Sequence, residues 1–219
     1  MSRKEEQLGK WLAQHGKAPW LFDIRGQDEP FNQIGTILQP GTWEKVDGEI
    51  RKEYGIGLGV PQGIPGKPYQ DQPVHDNSRT VPNRETALQR IAAFRWLNKT
   101  YAEVARREYE VAKKHAPGAL FEAYNRNSVA DLDFLDQSLI HPYTDFYSAD
   151  PYPSFCIYVY GGARSRYHVG FTSKMVTDLA CGKPTQMIVQ GCEMIQRLST
   201  AENVREWASQ AAKAGVTMI

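Results

Sequence analysis

The chain has 219 residues, of which 41% are hydrophobic, so it can bury a sizeable core as one large domain or two small ones. Its 26 Lys and Arg residues nearly cancel its 25 Asp and Glu residues, which gives a formal net charge of +1. This balance argues against the basic surface that binds nucleic acid or anionic lipid, so neither is expected as a partner. No run approaches the roughly 18 apolar residues of a membrane-spanning helix.

The cysteines and the first residues restrict the cellular setting only weakly. Cys156, Cys181 and Cys192 are odd in number and lack the spacing of metal ligands, so we expect reduced, partly buried thiols and no structural zinc. Residues 1–6 contain no apolar segment like that of a signal peptide. Reduced thiols suit the cytoplasm, but the sequence leaves the location open.

The N-terminal part is predicted to contain a helix, a strand and a long loop-rich segment. The helical pattern over residues 4–15 ends at Gly16, which we expect to close the helix in a left-handed conformation. The mostly apolar run over residues 18–25 predicts a buried strand. Residues 26–83 are rich in Gly and Pro and contain one predicted helix, residues 43–54, with Thr42 as its N-cap.

From Asn83 or Arg84 onwards, helices alternate with strands. Apolar residues recur every three or four positions as far as His115, which predicts one long helix with a single buried stripe. The predicted elements that follow are a strand at 119–124, a helix at 129–140 capped by Ser128, a strand at 145–149, an extended run at 155–160, a helix at 173–181, a strand at 185–190, and a helix at 201–214 opened by a capping box of Ser199 and Glu202. The last residues, 216–219, are apolar and start like another strand.

This alternation is typical of an α/β fold, in which helices cover a parallel sheet. Neither a GxGxxG nor a Walker A motif follows a predicted strand, since Gly55, Gly57 and Gly59 lie in a predicted loop. A nucleotide-binding domain is therefore not expected.

Two of the predicted strands lead into a loop that carries a glutamate. Glu29 follows the first strand, and Glu193 follows the strand at 185–190. Parallel α/β folds build their sites at the carboxyl ends of strands. Two carboxylates at such a place are what glycoside hydrolysis requires, one as general acid/base and one as nucleophile or base. The structural alternatives are a solvated loop residue for Glu29 and a glutamate in the first turn of a helix for Glu193.

Four short motifs follow one another along the chain. Asp28-Glu29-Pro30 follows a predicted strand, Asp150-Pro151-Tyr152-Pro153 follows another, Lys183-Pro184 precedes a third, and the last helix carries Glu202, Arg205, Trp207, Gln210 and Ala211 before Gly215-Val216. Together they resemble the catalytic (β/α)8 barrel, or TIM barrel, of the retaining glycoside hydrolases, in which the acid/base ends strand four and the nucleophile ends strand seven.

The resemblance implies one partial TIM-barrel domain over residues 1–219, with helix three and strands four to eight present and strands one to three missing, as in a fragment. Residues 26–83 would be a loop and helix insertion after the first visible strand. Glu29 would be the acid/base and Glu193 the nucleophile. In that superfamily the glutamate of strand seven follows directly, whereas here Gln190 precedes Glu193 by three residues. The nucleophile is therefore Glu193 or another residue near Gln190.

Further polar residues near the predicted strand ends are candidates for substrate binding. Arg25 and Asp23 alternate along the first strand, so both are expected to face the interior as a buried ion pair. The structural alternative for each candidate is a strand or turn residue without contact to a substrate. His75 and His168 are expected to be surface histidines in loops. The other candidates are Asp28, Tyr124, Asn125, Asp150, Tyr152 and Gln190.

The predicted function is hydrolysis of the O-glycosidic bonds of a carbohydrate by the two glutamates, without a metal ion or an organic cofactor. The alternative is a truncated or degenerate barrel that binds carbohydrate without catalysis. A Schiff-base lyase or aldolase is disfavoured, since it requires a lysine at a strand end and Lys183 precedes a strand instead. The sequence leaves the sugar, the linkage and the oligomeric state open.

Overall fold

The computed structural model describes residues 3–28, 42–58, 83–125, 136–151, 153, 167–189 and 200–219, except the side chains of Gln27, Asp28, Arg90 and Asn125. The helices in these ranges are α1 (Arg3–His15), α2 (Thr42–Tyr54), α3 (Arg84–His115), α4 (Gln137–Ile140), α5 (His168–Leu179) and α6 (Ala201–Lys213), and a 3-10 turn (His141–Tyr143) follows α4. The strands are β1 (Asp23–Asp28), β2 (Leu120–Asn125), β3 (Tyr147–Ala149) and β4 (Thr185–Met187). No helix in these ranges is both long and apolar enough to cross a membrane.

The chain divides into two compact units. The first comprises Met1–Glu29 and Ala102–Ile219 and contains the four described strands, and the second comprises Pro30–Tyr101. In the second unit, α2 packs against the first half of α3, where Trp96 Nε1 donates a hydrogen bond to Glu49 Oε2 at 3.0 Å. Among the described residues of this unit, the buried apolar ones are Trp43, Val46, Ile50, Leu58, Ala92, Ala93 and Leu97, with Tyr101 at its end.

The strands of the first unit pair in parallel. β1 pairs with β2, with Arg25 opposite Glu122, and β3 pairs with β4, with Ser148 opposite Gln186. Since parallel neighbours cannot be joined by a tight hairpin, each pair needs a crossover, and α5 lies in the crossover between β3 and β4. The predicted α/β class with parallel strands is confirmed.

Side chains connect β2 to β3. The backbone N–H of Asp145 donates to the carbonyl of Phe121 at 2.7 Å, and the Asp145 carboxylate accepts from the N–H of Phe121 at 2.8 Å. Further along, the Glu122 carboxylate accepts from the backbone N–H of Ser148. The four strands are therefore neighbours in their order along the chain.

The C-terminal residues continue this order beside β4. Gln186 forms a parallel bridge with Met218. The N–H of Met187 donates to the carbonyl of Met218, and the N–H of Met218 donates to the carbonyl of Thr185, both at 2.9 Å. The prediction that the final apolar run starts like a strand is confirmed at Met218.

Helices α5 and α6 cover one face of β3 and β4. Positions that are seven apart on α5 and four apart on α6 lie on one side of each helix and form its buried stripe. The cluster on this face consists of Tyr147, Ala149 and Met187 from the strands, Val169, Val176 and Ala180 from α5 and its C-terminus, and Trp207 and Ala211 from α6. Because side chains alternate along a strand, Ser148 and Gln186 lie on the opposite face.

Helix α1 docks on the C-terminal half of α3. Lys4 Nζ lies 2.8 Å from the buried carboxylate of Glu108. At the end of α1, a Cβ on Gly16 would come within 2.3 Å of the carbonyl oxygen of His115. Gly16 is not among the residues with a positive φ, so the predicted left-handed cap is wrong. This glycine is required because α3 approaches the backbone closely.

The first strand begins later than predicted. Residues 18–21 form a turn, in which the N–H of Leu21 donates to the carbonyl of Ala18 at 3.1 Å, and the carbonyl of Phe22 accepts from the N–H of Leu120 at 3.0 Å. Trp20 and Phe22 are 63% and 60% exposed, so the apolar run is not a buried strand until Asp23.

The structure corrects the predicted helix over 129–140 at Asp136 and the predicted capping box of the last helix, while the predicted cap Ser128 lies outside the described residues. Asp136 has φ −72° and ψ 99°, and its carboxylate accepts from the N–H of Ser138 at 3.0 Å, so it caps α4 and interrupts the predicted helix over 129–140. Residues 126–135 lie outside the described ranges. The capping box of α6 is formed by Thr200 and Asn203, because the Asn203 N–H donates to Thr200 Oγ1 at 3.1 Å and the Thr200 N–H donates to Asn203 Oδ1 at 3.3 Å.

Cysteine and histidine positions also differ from expectation. Cys181 is exposed, not partly buried, and has a φ of 48° just after α5. His168 is the first residue of α5 and is half-buried, so its assignment to a surface loop is wrong. Cys156, Cys192, His75 and the extended run predicted at 155–160 lie outside the described residues.

Candidate functional site

The carboxyl ends of the strands meet in pairs. Asp28, the last residue of β1, is opposite Asn125, the last residue of β2. On the other pair, the N–H of Ile188 donates to the carbonyl of Ala149 at 2.9 Å, directly before Asp150. The fold thus brings three of the predicted candidates, Asp28, Asn125 and Asp150, to the carboxyl ends of parallel strands.

Four polar side chains, one from each strand, form what we call the polar layer: Arg25, Glu122, Ser148 and Gln186. The guanidinium of Arg25 reaches the other three. Its Nη1 lies 3.5 Å from Ser148 Oγ and 3.7 Å from Glu122 Oε2, and its Nη2 donates to Gln186 Oε1. A planar guanidinium with donors on three nitrogens suits such a role, because its fork is rigid. The polar layer therefore links β1 to β3 and β4 across the sheets.

Glu122 is the buried centre of the polar layer. Its side chain is 1% exposed, and Ser148 is fully buried. Glu122 Oε2 accepts from the Ser148 hydroxyl at 2.7 Å, while Oε1 accepts from the Ser148 N–H. A carboxylate removed from water is strongly destabilising unless it is paired and hydrogen-bonded. The contacts with Ser148 and Arg25 supply that compensation.

Tyr124 and Asp150 lie on the same face as the polar layer, nearer the carboxyl ends. Residues two apart on a strand share a face, and Tyr124 and Asp150 follow Glu122 and Ser148 by two positions. Both are buried. The site therefore has two buried polar side chains, Glu122 and Ser148, with the phenol of Tyr124 and the carboxylate of Asp150 next to them on the side of the carboxyl ends of the strands.

Arg25 and Asp23 form the predicted ion pair, at 3.4 Å between Arg25 Nε and Asp23 Oδ2. The two side chains are 33% and 31% exposed, so the prediction that this pair is buried is wrong. Among the described strands, β1 has a neighbour on one side only, which leaves this pair accessible to water.

The remaining predicted residues have no described side chains. Glu29, Tyr152, Gln190 and Glu193 lie outside the described residues. Asp28 and Asn125 are placed by their backbone alone. Their roles stay predictions. Within the described ranges, no group of three or more His, Cys, Asp or Glu side chains is arranged to hold a metal ion.

Sequence reasoning missed three members of the polar layer. Glu122 stands inside the apolar run Leu120–Asn125, and a charged residue within a buried strand is itself a signal of a polar interior. Ser148 and Gln186 carry a weaker signal. Ser148 shares a strand face with Asp150, and Gln186 shares one with position 190. Side chains at even spacings along a strand share a face. Polar residues two or four positions before a predicted site residue are therefore candidates, and this rule identifies all three.

A second polar cluster stabilises the turn that leads into β3. Lys183 Nζ donates to the carbonyl oxygen of Thr144 at 2.6 Å and to that of His141. Burial lowers the pKa of Lys183, and the nearby Asp145 carboxylate opposes this shift. Asp145 is also paired with Lys113 at 2.6 Å. Lys183 thus fixes the chain before a strand, as its sequence position suggests, and does not end one.

Two solved structures have a similar fold. The β-galactosidase of the psychrophilic Marinomonas ef1 superposes with a TM-score of 0.60 at 11% sequence identity. The polyextremophilic β-galactosidase of the Antarctic haloarchaeon Halorubrum lacusprofundi superposes with a TM-score of 0.62 at 13% identity. In both cases the match covers 98% of this chain and 35% of the other. No protein-family profile and no curated protein matches the sequence.

The chain therefore has a fold distantly similar to that of glycoside hydrolases. It spans about a third of the length of the two β-galactosidases that it resembles. At 11% and 13% identity, the likeness establishes the fold alone.

Proposed function

We propose that the chain is a glycoside hydrolase that cleaves O-glycosidic bonds of a carbohydrate, built on a partial (β/α)8 barrel that corresponds to strands four to eight. The observation that carries this proposal is the superposition of 98% of the chain on two β-galactosidases. The order of the strands agrees with it, because β1 to β4 and Met218 are neighbours in sequence order and the pairs are parallel. In this proposal residues 1–219 form one domain into which residues 26–83 are inserted.

Glu29 is the proposed general acid/base, and Glu193 is the proposed nucleophile. Glu29 directly follows the last residue of β1, at the end of the strand where sites of parallel α/β folds are built. The acid gives its proton to the leaving oxygen, while the nucleophile attacks the anomeric carbon and is later released by water. The proposed substrate-binding residues are Arg25, Asp28, Tyr124, Asn125, Asp150, Tyr152 and Gln190.

Counting from the polar layer supports one alternative, a barrel that binds carbohydrate without catalysis. Glu29 is the fourth residue after Arg25, and Gln190 is the fourth after Gln186, whereas Glu193 is the seventh. Arg25 and Gln186 lie side by side in the polar layer. Residues that are equally far along their strands from these two would therefore lie equally far along the sheet axis. Gln190 would then occupy the place of the nucleophile, and an amide cannot form the glycosyl ester.

Kinetics with two leaving groups separate the roles of the glutamates. Dinitrophenolate leaves without a proton, whereas a phenolate leaves slowly unless it is protonated. We expect Glu29→Gln to lower kcat/KM for phenyl β-galactoside by about 10²- to 10⁴-fold and to affect dinitrophenyl β-galactoside far less. Glu193→Gln should abolish turnover of both substrates, because no glycosyl-enzyme forms. β-Glucosides and α-galactosides complete the panel.

Glu202→Gln, an exposed change in the first turn of α6, is the matched control and should leave both rates unchanged. A wild type that binds galactose or an iminosugar analogue of galactose but turns over no substrate would support the binding alternative. In that case Gln190→Glu should restore measurable turnover. Absence of both binding and turnover would contradict both readings.

A further inference from the structure

We propose that Glu122 is a positioning residue for this site, which holds Arg25 and Ser148 in place next to Tyr124 and Asp150. The inference rests on the proposed function. Glu122 does not touch the proposed substrate; it acts through its neighbours.

The contacts of Glu122 leave it little freedom. Oε1 accepts from the backbone N–H of Ser148, and Oε2 accepts from the Ser148 hydroxyl at 2.7 Å. Oε2 also lies 3.7 Å from Arg25 Nη1. Both carboxylate oxygens are thus engaged by groups from two other strands. Glu122 and Ser148 are both buried, so the charge-assisted hydrogen bonds between them are strong.

Arg25 depends on Glu122 for its direction. Its Nε and Nη2 each lie 3.4 Å from Asp23 Oδ2, at the exposed side of β1, while Nη1 points to Ser148 and Glu122. Two carboxylates therefore face the guanidinium from different sides, and the neutral partner Gln186 accepts from Nη2. If the inner carboxylate becomes neutral, Asp23 is the only acid left beside Arg25 in the described structure, and the guanidinium is drawn toward water.

Glu122 also fixes the spacing of β2 and β3. In a regular parallel pair, the N–H of Ser148 would donate to a backbone carbonyl of β2. Here it donates to the Glu122 side chain instead. Tyr124 and Asp150 each follow this connection by two residues, on the same face. A shift of Ser148 against Glu122 therefore moves both proposed substrate-binding residues relative to each other. Displacements of about 1 Å in a catalytic arrangement can lower a rate about 10²-fold.

The test compares Glu122→Gln with Glu108→Gln. Glu108 is as buried as Glu122, at 1% exposure, and its Oε1 is paired with Lys4 at 2.8 Å, but it lies on α3 beside Gly26 and makes no contact with the four side chains of the polar layer in the described structure. We expect Glu122→Gln to lower kcat on the dinitrophenyl substrate about 10- to 100-fold, with KM changed less than about threefold. Glu108→Gln should lower the Tm and leave kcat unchanged.

Two further measurements keep the inference testable. Ser148→Ala removes the hydroxyl contacts to Glu122 and Arg25 but keeps the backbone bond to Glu122, and it replaces Glu122→Gln if that variant does not fold. Independently of activity, NMR of the arginine side chains should show slowly exchanging Arg25 guanidinium protons in the wild type and fast exchange in Glu122→Gln.

The outcomes separate the two proposals. If the wild type is active and Glu122→Gln reduces kcat no more than Glu108→Gln does, the positioning role is wrong and the proposed function stands. If the wild type is inactive, the proposed function fails, and the NMR signal alone decides whether Glu122 holds Arg25. Guanidinium protons that exchange equally fast in wild type and variant overturn the inference in either case.

Discussion

The backbone of β1 is tightly enclosed at Gly26. A Cβ at this position would lie 2.4 Å from the carbonyl oxygen of Ala123 on β2 and 2.9 Å from Glu108 Oε2 on α3. The first of these atoms belongs to backbone that is held in the β1–β2 pairing and cannot move freely. No side chain fits there without separating the strand from its neighbours.

We therefore expect Gly26→Ala to lower the free energy of unfolding by about 3 kcal/mol, at the upper end of the usual cost of overpacking. Urea denaturation monitored by circular dichroism measures this loss. Gly48→Ala is the matched control, since Gly48 lies inside α2 with nothing within 4 Å of its would-be Cβ. That change should stabilise the protein by about 0.5 to 1 kcal/mol, because alanine favours the helix. Equal stability of the Gly26→Ala variant and the wild type would contradict the described packing of β1.

Individual residues also show what the sequence could predict of the site. The ion pair of Arg25 and Asp23 follows from their alternation along a strand, and it is present. Its exposure could not be predicted, because exposure depends on which strand lies beside β1. Glu122 was overlooked because its partners, Arg25 and Ser148, are distant in sequence and only the fold brings them together.

At the level of elements, α5 begins with a half-buried histidine. His168 is half-buried, and its Nε2 has no hydrogen-bond partner among the described residues. Burial lowers the pKa of His168, because the imidazolium would lose its hydration. The N-terminus of a helix also disfavours a cation.

This shift makes stability depend on pH. The unfolded chain takes up a proton at His168 near pH 6.5, whereas the folded chain does so only at lower pH. The free energy of unfolding should therefore decrease as the pH falls from about 7 toward 5, since the unfolded state binds more protons in this window. The pKa of His141 is also lowered, first by burial and then by Lys183, and adds to the effect with the same sign.

We expect His168→Gln to flatten the pH dependence of stability between about pH 7 and 5, as measured by urea denaturation at each pH. Lys174→Gln, an exposed change on the same helix, should leave the slope as it is in the wild type. A slope that is unchanged by His168→Gln would show that His168 is not buried as described.

Helices were easier to predict than strands, for physical reasons. In a long amphipathic helix such as α3, the spacing of the apolar residues follows from local helix geometry. The buried side of the helix can therefore be identified from that stretch of sequence alone. Trp20 and Phe22 were misassigned because an apolar run does not reveal whether another layer covers it. Asp136 interrupts a periodic pattern through a local hydrogen bond, which competes with the helix.

At the scale of the whole molecule, the order of the elements is the main support for the proposed partial barrel. Strands β1 to β4 follow one another as neighbours, and the chain end at Met218 continues the series. The connection between β2 and the segment of β3 has no local sequence signal, because most of its hydrogen bonds use side chains, those of Thr144 and Asp145 before β3 and that of Glu122 on β2. The alternation of strands and helices predicted the class of fold, but not this connection.

The separation of the Glu29 and Glu193 carboxyl groups in a crystal structure tests the central claim most directly. A retaining two-glutamate mechanism predicts that the carboxyl groups lie about 5 to 5.5 Å apart above Tyr124 and Asp150. A separation of more than about 10 Å, or positions on opposite faces of the sheets, would contradict the mechanism.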